Sequence, residues 1–348
     1  MVNGCPGDSP CRLLPLQRAE HVLVLVGLMK KNLVYSNKYN TDLSCFGINK
    51  PFALDRGDKV LTRLSQDMGR QLAYLEPQPV SDKEILLVHT REYLKSLREA
   101  QSWINILELK ENEFRPGKDS RPLPELLDDI KVKCGGTILA TQLALELGLA
   151  CNLGGGYHHA FPDQGRGFCV LNDLAIAVRT MKQRKLAKRF MLVDLDFHQG
   201  DGTALIFRRD PAVFTLSVHS QEGWPEEKQN SSLDIPVKAS ETGLYLEKTL
   251  NGIEKAMKSF SPEVVLYVAG SDPYEEDVLP GTRFLRLELA EMRRRDELVI
   301  DYFADRNIPL AMVFAGGYGP HVWRVHYYAV RRLLERSGST FANSIGSN

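Results

Sequence analysis

Short apolar, β-rich runs alternate with helical periodicity through the middle of this chain, as in a largely parallel sheet covered on both faces by helices. Six runs read as strands: Asn32–Tyr35, Ala150–Leu153, Phe190–Leu195, Val213–Val218, Val264–Ala269 and Leu310–Ala315. Between them, Gly136–Leu147 carries a helical stripe at Ile138, Leu139, Leu143 and Leu147. Ser81-x-x-Glu84 is a capping box that opens one helix, and Thr90 is placed to N-cap the next. No repeat, low-complexity linker or domain boundary interrupts the pattern, so a single α/β domain is expected over residues 31–336. Residues 1–30 read as a weakly ordered extension and 337–348 as a flexible polar tail.

Four of these strands run directly into polar or glycine-rich residues: Gly154–His159, Asp196–Asp201, Gly270–Asp272 and Gly316–Tyr318. Open parallel sheets place their sites beyond the carboxyl ends of the strands. The four loops are therefore expected to meet on one rim of one sheet.

Composition narrows the choice of partner. The 348 residues hold 44 Lys+Arg against 44 Asp+Glu, so no charge excess favours nucleic acid or an anionic membrane. Six cysteines (Cys5, Cys11, Cys45, Cys134, Cys151 and Cys169) show no CxxC pair and no regular spacing. Free thiols in a reducing compartment are the favoured reading, hence a cytoplasmic location, or a nuclear one in a eukaryote. Val22–Met29 is too short to span a bilayer. A dispensable extension before an internal Met29 is preferred to a short secretory segment.

The strand-end loops carry the candidate chemistry. Asp196-x-His198 places a carboxylate and an imidazole on the same side of an extended chain, within reach of one divalent cation. Asp272, in Gly270-Ser271-Asp272, supplies a second carboxylate. Asp-His-Asp is a three-ligand set that leaves positions for water and a substrate carbonyl, as a catalytic zinc site requires. Gly154-Gly155-Gly156-Tyr157-His158-His159 presents two proton-transfer groups on a sharply bending backbone. Asp194 and Asp201 bracket the metal pair and suit the role of orienting imidazoles. Tyr318, on the hinge Gly316-Gly317-Tyr318-Gly319, could donate a hydrogen bond to a developing oxyanion.

Together, GGGYHH (154–159), GRGFCVLND (165–173), DLDFHQGDG (194–202), AGSD (269–272) and AGGYG (315–319) resemble the zinc-dependent histone deacetylase family. That superfamily includes acetylpolyamine amidohydrolases and acetoin-utilisation proteins on an arginase-like α/β fold. HTREYL (89–94) and CGGTILA (134–140) look like the class IV, histone deacetylase 11-like and bacterial branch. The resemblance spans about residues 31–336. It implies one Zn2+ bound by Asp196, His198 and Asp272. It further implies that His159 is the general base and then the acid toward the leaving amine. His158 would tune the electrostatics, Asp194 would pair with His158, Asp201 with His159, and Tyr318 would stabilise the tetrahedral intermediate. Gly167 and Phe168 match the family's tunnel wall around an acyl-lysine stem, with Trp224 as the opposite wall. A structural K+ would use Asp194, Asp196, His198 and Ser217. The substrate implied is an acylated lysine of a peptide or protein, or a related acylated amine, with acetyl, longer acyl and acetylpolyamine all open.

Some positions depart from the family. Gln199 stands where many members carry a further histidine, and residues 101–125 show no clear counterpart of the acid that grips substrate backbone in class I enzymes. A binuclear manganese site of the arginase type would need carboxylates at positions 200 and 274, which hold Gly200 and Tyr274. The non-enzymatic alternative is a binding module that keeps the pocket without the chemistry.

Overall fold

Alternation along each strand builds the core. The computed structural model describes residues 31–338 other than Pro51, and the described residues from Asn32 onward form one compact unit. Met191 and Val193 join one apolar cluster, while their neighbours Phe190 and Leu192 join another. Successive side chains of a strand point to opposite faces, so a run apolar at every position fills two cores at once.

The seven strands are β1 (Leu33–Val34), β2 (Leu149–Asn152), β3 (Phe190–Asp194), β4 (Val213–Ser220), β5 (Leu233–Val237), β6 (Val264–Val268) and β7 (Leu310–Val313). All pairings are parallel, in the spatial order β1-β2-β7-β6-β3-β4-β5. Helices Leu126–Leu147 and Asp173–Gln183 pack with one cluster. Helices Arg56–Asp67, Tyr245–Ser259, Leu289–Ala304 and Trp323–Arg336 pack with the other. The expected α/β architecture, with both faces of a parallel sheet covered, is the one found.

The order has a functional consequence. β2, β7, β6 and β3 are consecutive neighbours, and they are the four strands that feed the chemistry-bearing loops. Parallel alignment brings all four carboxyl ends to one rim, side by side.

Three local features differ from the sequence reading. The edge strand β5 carries Asp234 and Pro236 and is mostly half-buried, so it lacks an apolar run. Proline is tolerated there because an edge strand has one unpaired side. The helix over Gly136–Leu147 begins ten residues earlier, at Leu126, and runs through Gly135-Gly136. Those glycines serve close packing: a Cβ at Gly135 would strike the Gln78 carbonyl, and one at Gly136 the Tyr39 hydroxyl. β1 is shorter than Asn32–Tyr35, with Asn32 and Tyr35 flanking it.

The capping box at Ser81 and the Thr90 cap are both formed. Cys134, Cys151 and Cys169 are free and buried, and Cys45 is free and exposed. Ser337, the first residue of the expected tail, still closes the last helix through its N–H to the Leu333 carbonyl at 3.0 Å. Among the described residues no helix is long and apolar enough to cross a membrane. Cys5, Cys11, the Val22–Met29 run and residues 339–348 lie outside the described residues.

Candidate active site

Beyond the end of β3 the chain is drawn tight by its own carboxylates. Asp194 Oδ1 accepts from the Asp196 N–H at 3.1 Å, and Asp196 Oδ1 from the His198 N–H at 3.0 Å. Asp272 Oδ1 accepts from the Phe197 N–H at 2.9 Å, tying the loop after β6 to the loop after β3. The Gly316 N–H reaches Asp196 Oδ2 at 2.9 Å from the loop after β7. These bonds leave His198 Nδ1 3.2 Å from Asp196 Oδ1 and 2.9 Å from Asp272 Oδ2. One ligand atom from each residue lies within 4.8 Å of the others, and all three residues are buried.

Two buried carboxylates around one imidazole make a site short of positive charge. Burial opposes a charged His198, but its hydrogen bonds to Asp196 and Asp272 override that and raise its pKa to about 10. Burial and the neighbouring Asp196 push Asp272 up to about 6. A proton on His198 thus takes the place a cation would fill. One nitrogen and two oxygens, converging and buried, are a donor set that fits a divalent ion such as zinc.

The histidine pair descends from the loop after β2. Gly155 and Gly156 adopt φ of 73° and 87°, and a Cβ at Gly156 would lie 2.6 Å from Ala315. Only glycine allows both that conformation and that approach. Asp173 holds the bend by accepting from the Gly156 N–H at 2.9 Å and the Tyr157 N–H at 2.7 Å. The His158 and His159 rings stand 4.0 Å apart. Asp194 Oδ2 is 2.7 Å from His158 Nδ1, and Asp201 Oδ1 is 2.7 Å from His159 Nδ1.

Their environments push the two imidazoles apart. Burial disfavours charge on His158, yet Asp194 and Asp196 outweigh it and raise the pKa to about 9. His159 is lowered to about 3 by burial and by the charge of His158, against the pull of Asp201. One ring is held cationic and the other neutral, the separation that divides acid from base roles.

Tyr318 lines the same cavity as the Asp-His-Asp cluster and both histidines. Burial first, then the charges of Asp272 and Asp196, raise its pKa well above the usual phenol value, so it remains an O–H donor. Its backbone N–H donates to Asp277 Oδ2 at 2.7 Å. Arg56 donates to the Ala315 carbonyl at 2.8 Å and the Gly316 carbonyl at 3.0 Å, fixing the hinge from below.

The mouth of the cavity is aromatic. Phe168 stands 5.1 Å from Phe52 and 5.7 Å from Tyr318, both edge to face. Gly167 and Phe168 have φ of 53° and 65°, and the Phe168 N–H is held by the Ile106 carbonyl. Trp224 sits edge-on to His159 at 4.7 Å, and a Cβ at Gly167 would lie 2.8 Å from its ring. Trp224 thus flanks the histidines beside Gly167.

With this geometry established, comparison with known proteins is decisive: residues 50–333 match the model of the histone deacetylase domain. The chain belongs to the histone deacetylase family. It is 33% identical over 300 residues to histone deacetylase 2 of Arabidopsis thaliana, covering 84% of this chain and 76% of that protein. An uncharacterized protein of Picosynechococcus is 47% identical over 195 residues; the match takes in 56% of this chain and 64% of the relative's length. A solved histone deacetylase homologue complexed with SAHA superposes with a TM-score of 0.66 at 23% identity, covering 90% of this chain and 85% of that one. That likeness establishes the deacetylase fold.

Several departures within this family acquire a physical account. Gln199 points its amide to the edge strand, donating to the Gln229 carbonyl at 2.6 Å and Asp234 at 2.7 Å. A Cβ at Gly200 would strike Asp194, leaving no room for a carboxylate there, and the Tyr274 hydroxyl is engaged by Glu276. Ser217 lies opposite Asp194 in register, with its hydroxyl 2.9 Å from His219 Nδ1.

Sequence reasoning missed Arg56, Phe52, Asp277 and Arg295. Arg295 is fully buried and donates to the Gly270 carbonyl at 2.7 Å and the Leu195 carbonyl at 3.2 Å. Asp296 binds its Nε at 2.8 Å and in turn accepts from the Tyr267 hydroxyl at 2.5 Å. One signal was available: Arg295 and Asp296 fall on the buried stripe Met292, Val299, Ile300 and Phe303. A charged pair on an apolar face demands a buried partner.

Proposed function

We propose that this chain is a zinc-dependent deacylase that hydrolyses the amide of an acylated lysine, or of a related acylated amine. The supporting observation is a single cavity lined by the Asp-His-Asp cluster, a histidine pair of opposed basicity and a tyrosine O–H. Asp196, His198 and Asp272 would hold the zinc ion, which when bound supplies Lewis acidity and lowers the pKa of water toward about 7.

The protein groups then act in sequence. Asp201 accepts a hydrogen bond from the Nδ1–H of His159, which leaves Nε2 with the free lone pair. As the water oxygen bonds to the acyl carbon, His159 Nε2 accepts a water proton. Tyr318 donates its O–H to the oxygen that becomes negative in the tetrahedral intermediate. His158, kept cationic by Asp194, offsets the charge of the surrounding carboxylates. When the C–N bond breaks, the proton on His159 passes to the amine, releasing amine and carboxylic acid. Phe168, Phe52 and Trp224 flank the approach of an alkyl stem and exclude water. A structural K+ would be held beside Asp194 and Ser217.

Hydrolysis of a fluorogenic acetyl-lysine peptide by zinc-loaded protein tests the proposal, with acetylpolyamines and longer acyl-lysines compared by kcat/KM. Zinc-loaded protein inert toward every acyl-amide would replace it with a binding module.

A further inference from the structure

The cavity that holds the candidate site is also lined by a buried cation. Lys133, on the helix Leu126–Leu147, is 6% exposed and lines this space. Its backbone is pinned there, since its carbonyl accepts from the Asn152 side chain at 3.1 Å. Its ammonium makes no hydrogen bond and no ion pair among the described residues. Every other cation near the site is engaged. Arg56 is held on two carbonyls, and Arg166 lies 3.3 Å from Asp201. Asp129 lines the same space, but its carboxylate accepts from the Thr41 hydroxyl at 2.9 Å.

An unpaired buried ammonium is costly, so such groups normally meet an anion. Burial lowers the Lys133 pKa to about 8, with Asp129 working against that shift, so the protonated form still dominates at pH 7. The cavity volume is about 150 Å3. That volume spans the whole cavity, from Phe52 and Phe168 past the Asp-His-Asp cluster to Lys133, so only a short acyl group has space on the Lys133 side.

We infer that Lys133 forms a carboxylate subsite in this cavity, serving a short acyl group whose far end carries its own carboxylate, such as succinyl or glutaryl. The inference rests on the deacylase reading for its location. The same subsite chemistry could instead serve a free carboxylic acid product, and the experiment separates the two.

Zinc-loaded wild type, Lys133→Met and Lys133→Arg are compared on succinyl-lysine and butyryl-lysine peptides, which differ in the terminal group. Succinate and acetate binding is measured in parallel by calorimetry. Wild type is expected to favour succinyl over butyryl at least tenfold in kcat/KM. Lys133→Met removes that preference, and Lys133→Arg keeps it. If the acyl preference is unaffected by Lys133→Met but succinate and acetate bind at least tenfold more weakly, the subsite stands and its occupant is the free acid. If neither preference nor binding changes, the subsite is overturned. Should no acyl-lysine be hydrolysed while Lys133→Met still weakens succinate binding, the deacylase reading fails and the subsite survives.

Discussion

Gly316→Ala tests the proposed metal cluster without replacing any of its ligands. Gly316 is not in the left-handed region, so alanine is allowed there by the backbone. A methyl at that position would lie 2.5 Å from both Asp196 Oδ2 and Asp272 Oδ2. Ordinary van der Waals contact begins near 3.4 Å. Relief therefore requires movements of about 0.9 Å, shared between the methyl and two carboxylates whose other oxygens are fixed by backbone N–H groups. Metal sites tolerate ligand displacements of about 0.2 Å. Losing one orienting contact near a metal typically costs about 10–100-fold in affinity. Disturbing two ligands at once should lower zinc affinity by about 100-fold or more.

The assay is competition for zinc against a chelator of known affinity, alongside acyl-lysine turnover. Circular dichroism would establish that the fold persists. Gly243→Ala, where a Cβ meets nothing within 4 Å, is the control expected to match wild type. A Gly316→Ala protein that holds zinc as tightly as Gly243→Ala would refute the assignment of Asp196 and Asp272 as ligands.

Three further outcomes are expected. Tyr318→Phe lowers turnover by about 100-fold or more, the scale of losing one oxyanion donor, with zinc content retained; unchanged turnover removes Tyr318 from the mechanism. Asp277→Asn replaces two acceptors, used by the Tyr318 and Leu279 N–H groups, with one. One N–H then faces an NH2 group, and kcat should fall about 10-fold with KM and zinc content kept, consistent with the ~1–3 kcal/mol of an unsatisfied buried donor; steady-state kinetics would show it. In metal-stripped protein, thermal stability should fall as pH rises from 7 toward 10. His158 and His198 have folded pKa values of about 9 and 10, above the ordinary 6.5. Their contribution is complete below 6.5 and disappears as pH climbs through the folded values. For His158 the shift corresponds to on the order of 3 kcal/mol, so His158→Gln should flatten the decline in calorimetry; an equally steep decline would count against the pairing with Asp194.

The strand-end loops are legible in the sequence because their chemistry is contiguous. Asp194 to Asp201 spans eight residues, and the register of β3 against β4 and β6 then fixes where each side chain falls. Arg56 and Asp277 are not legible in the same way. Arg56 acts through two hydrogen bonds and Asp277 through one to the backbone of the Ala315–Tyr318 loop, distant in sequence from Arg56, and nothing in the local pattern marks either partnership. β5 is hidden by its proline and its polar edge, and the start of the helix at Leu126 by glycines that ordinarily interrupt a helix. In both cases tertiary packing overrides local preference. Lys133 looks like a solvated helix lysine until the fold buries it.

The guanidinium of Arg295 grips the main chain just ahead of two loops, at Leu195 and Gly270, from a helix that contributes nothing to the cavity. Asp196 and Asp272 are thereby set at a common height by one rigid brace anchored in the outer layer. Arg295→Lys would keep the charge but lose the planar group that joins the two carbonyls, both held by Nη1, to Asp296, held by Nε. Conditions that loosen the Leu289–Ala304 helix should therefore weaken any ion held by Asp196 and Asp272 before the sheet itself melts.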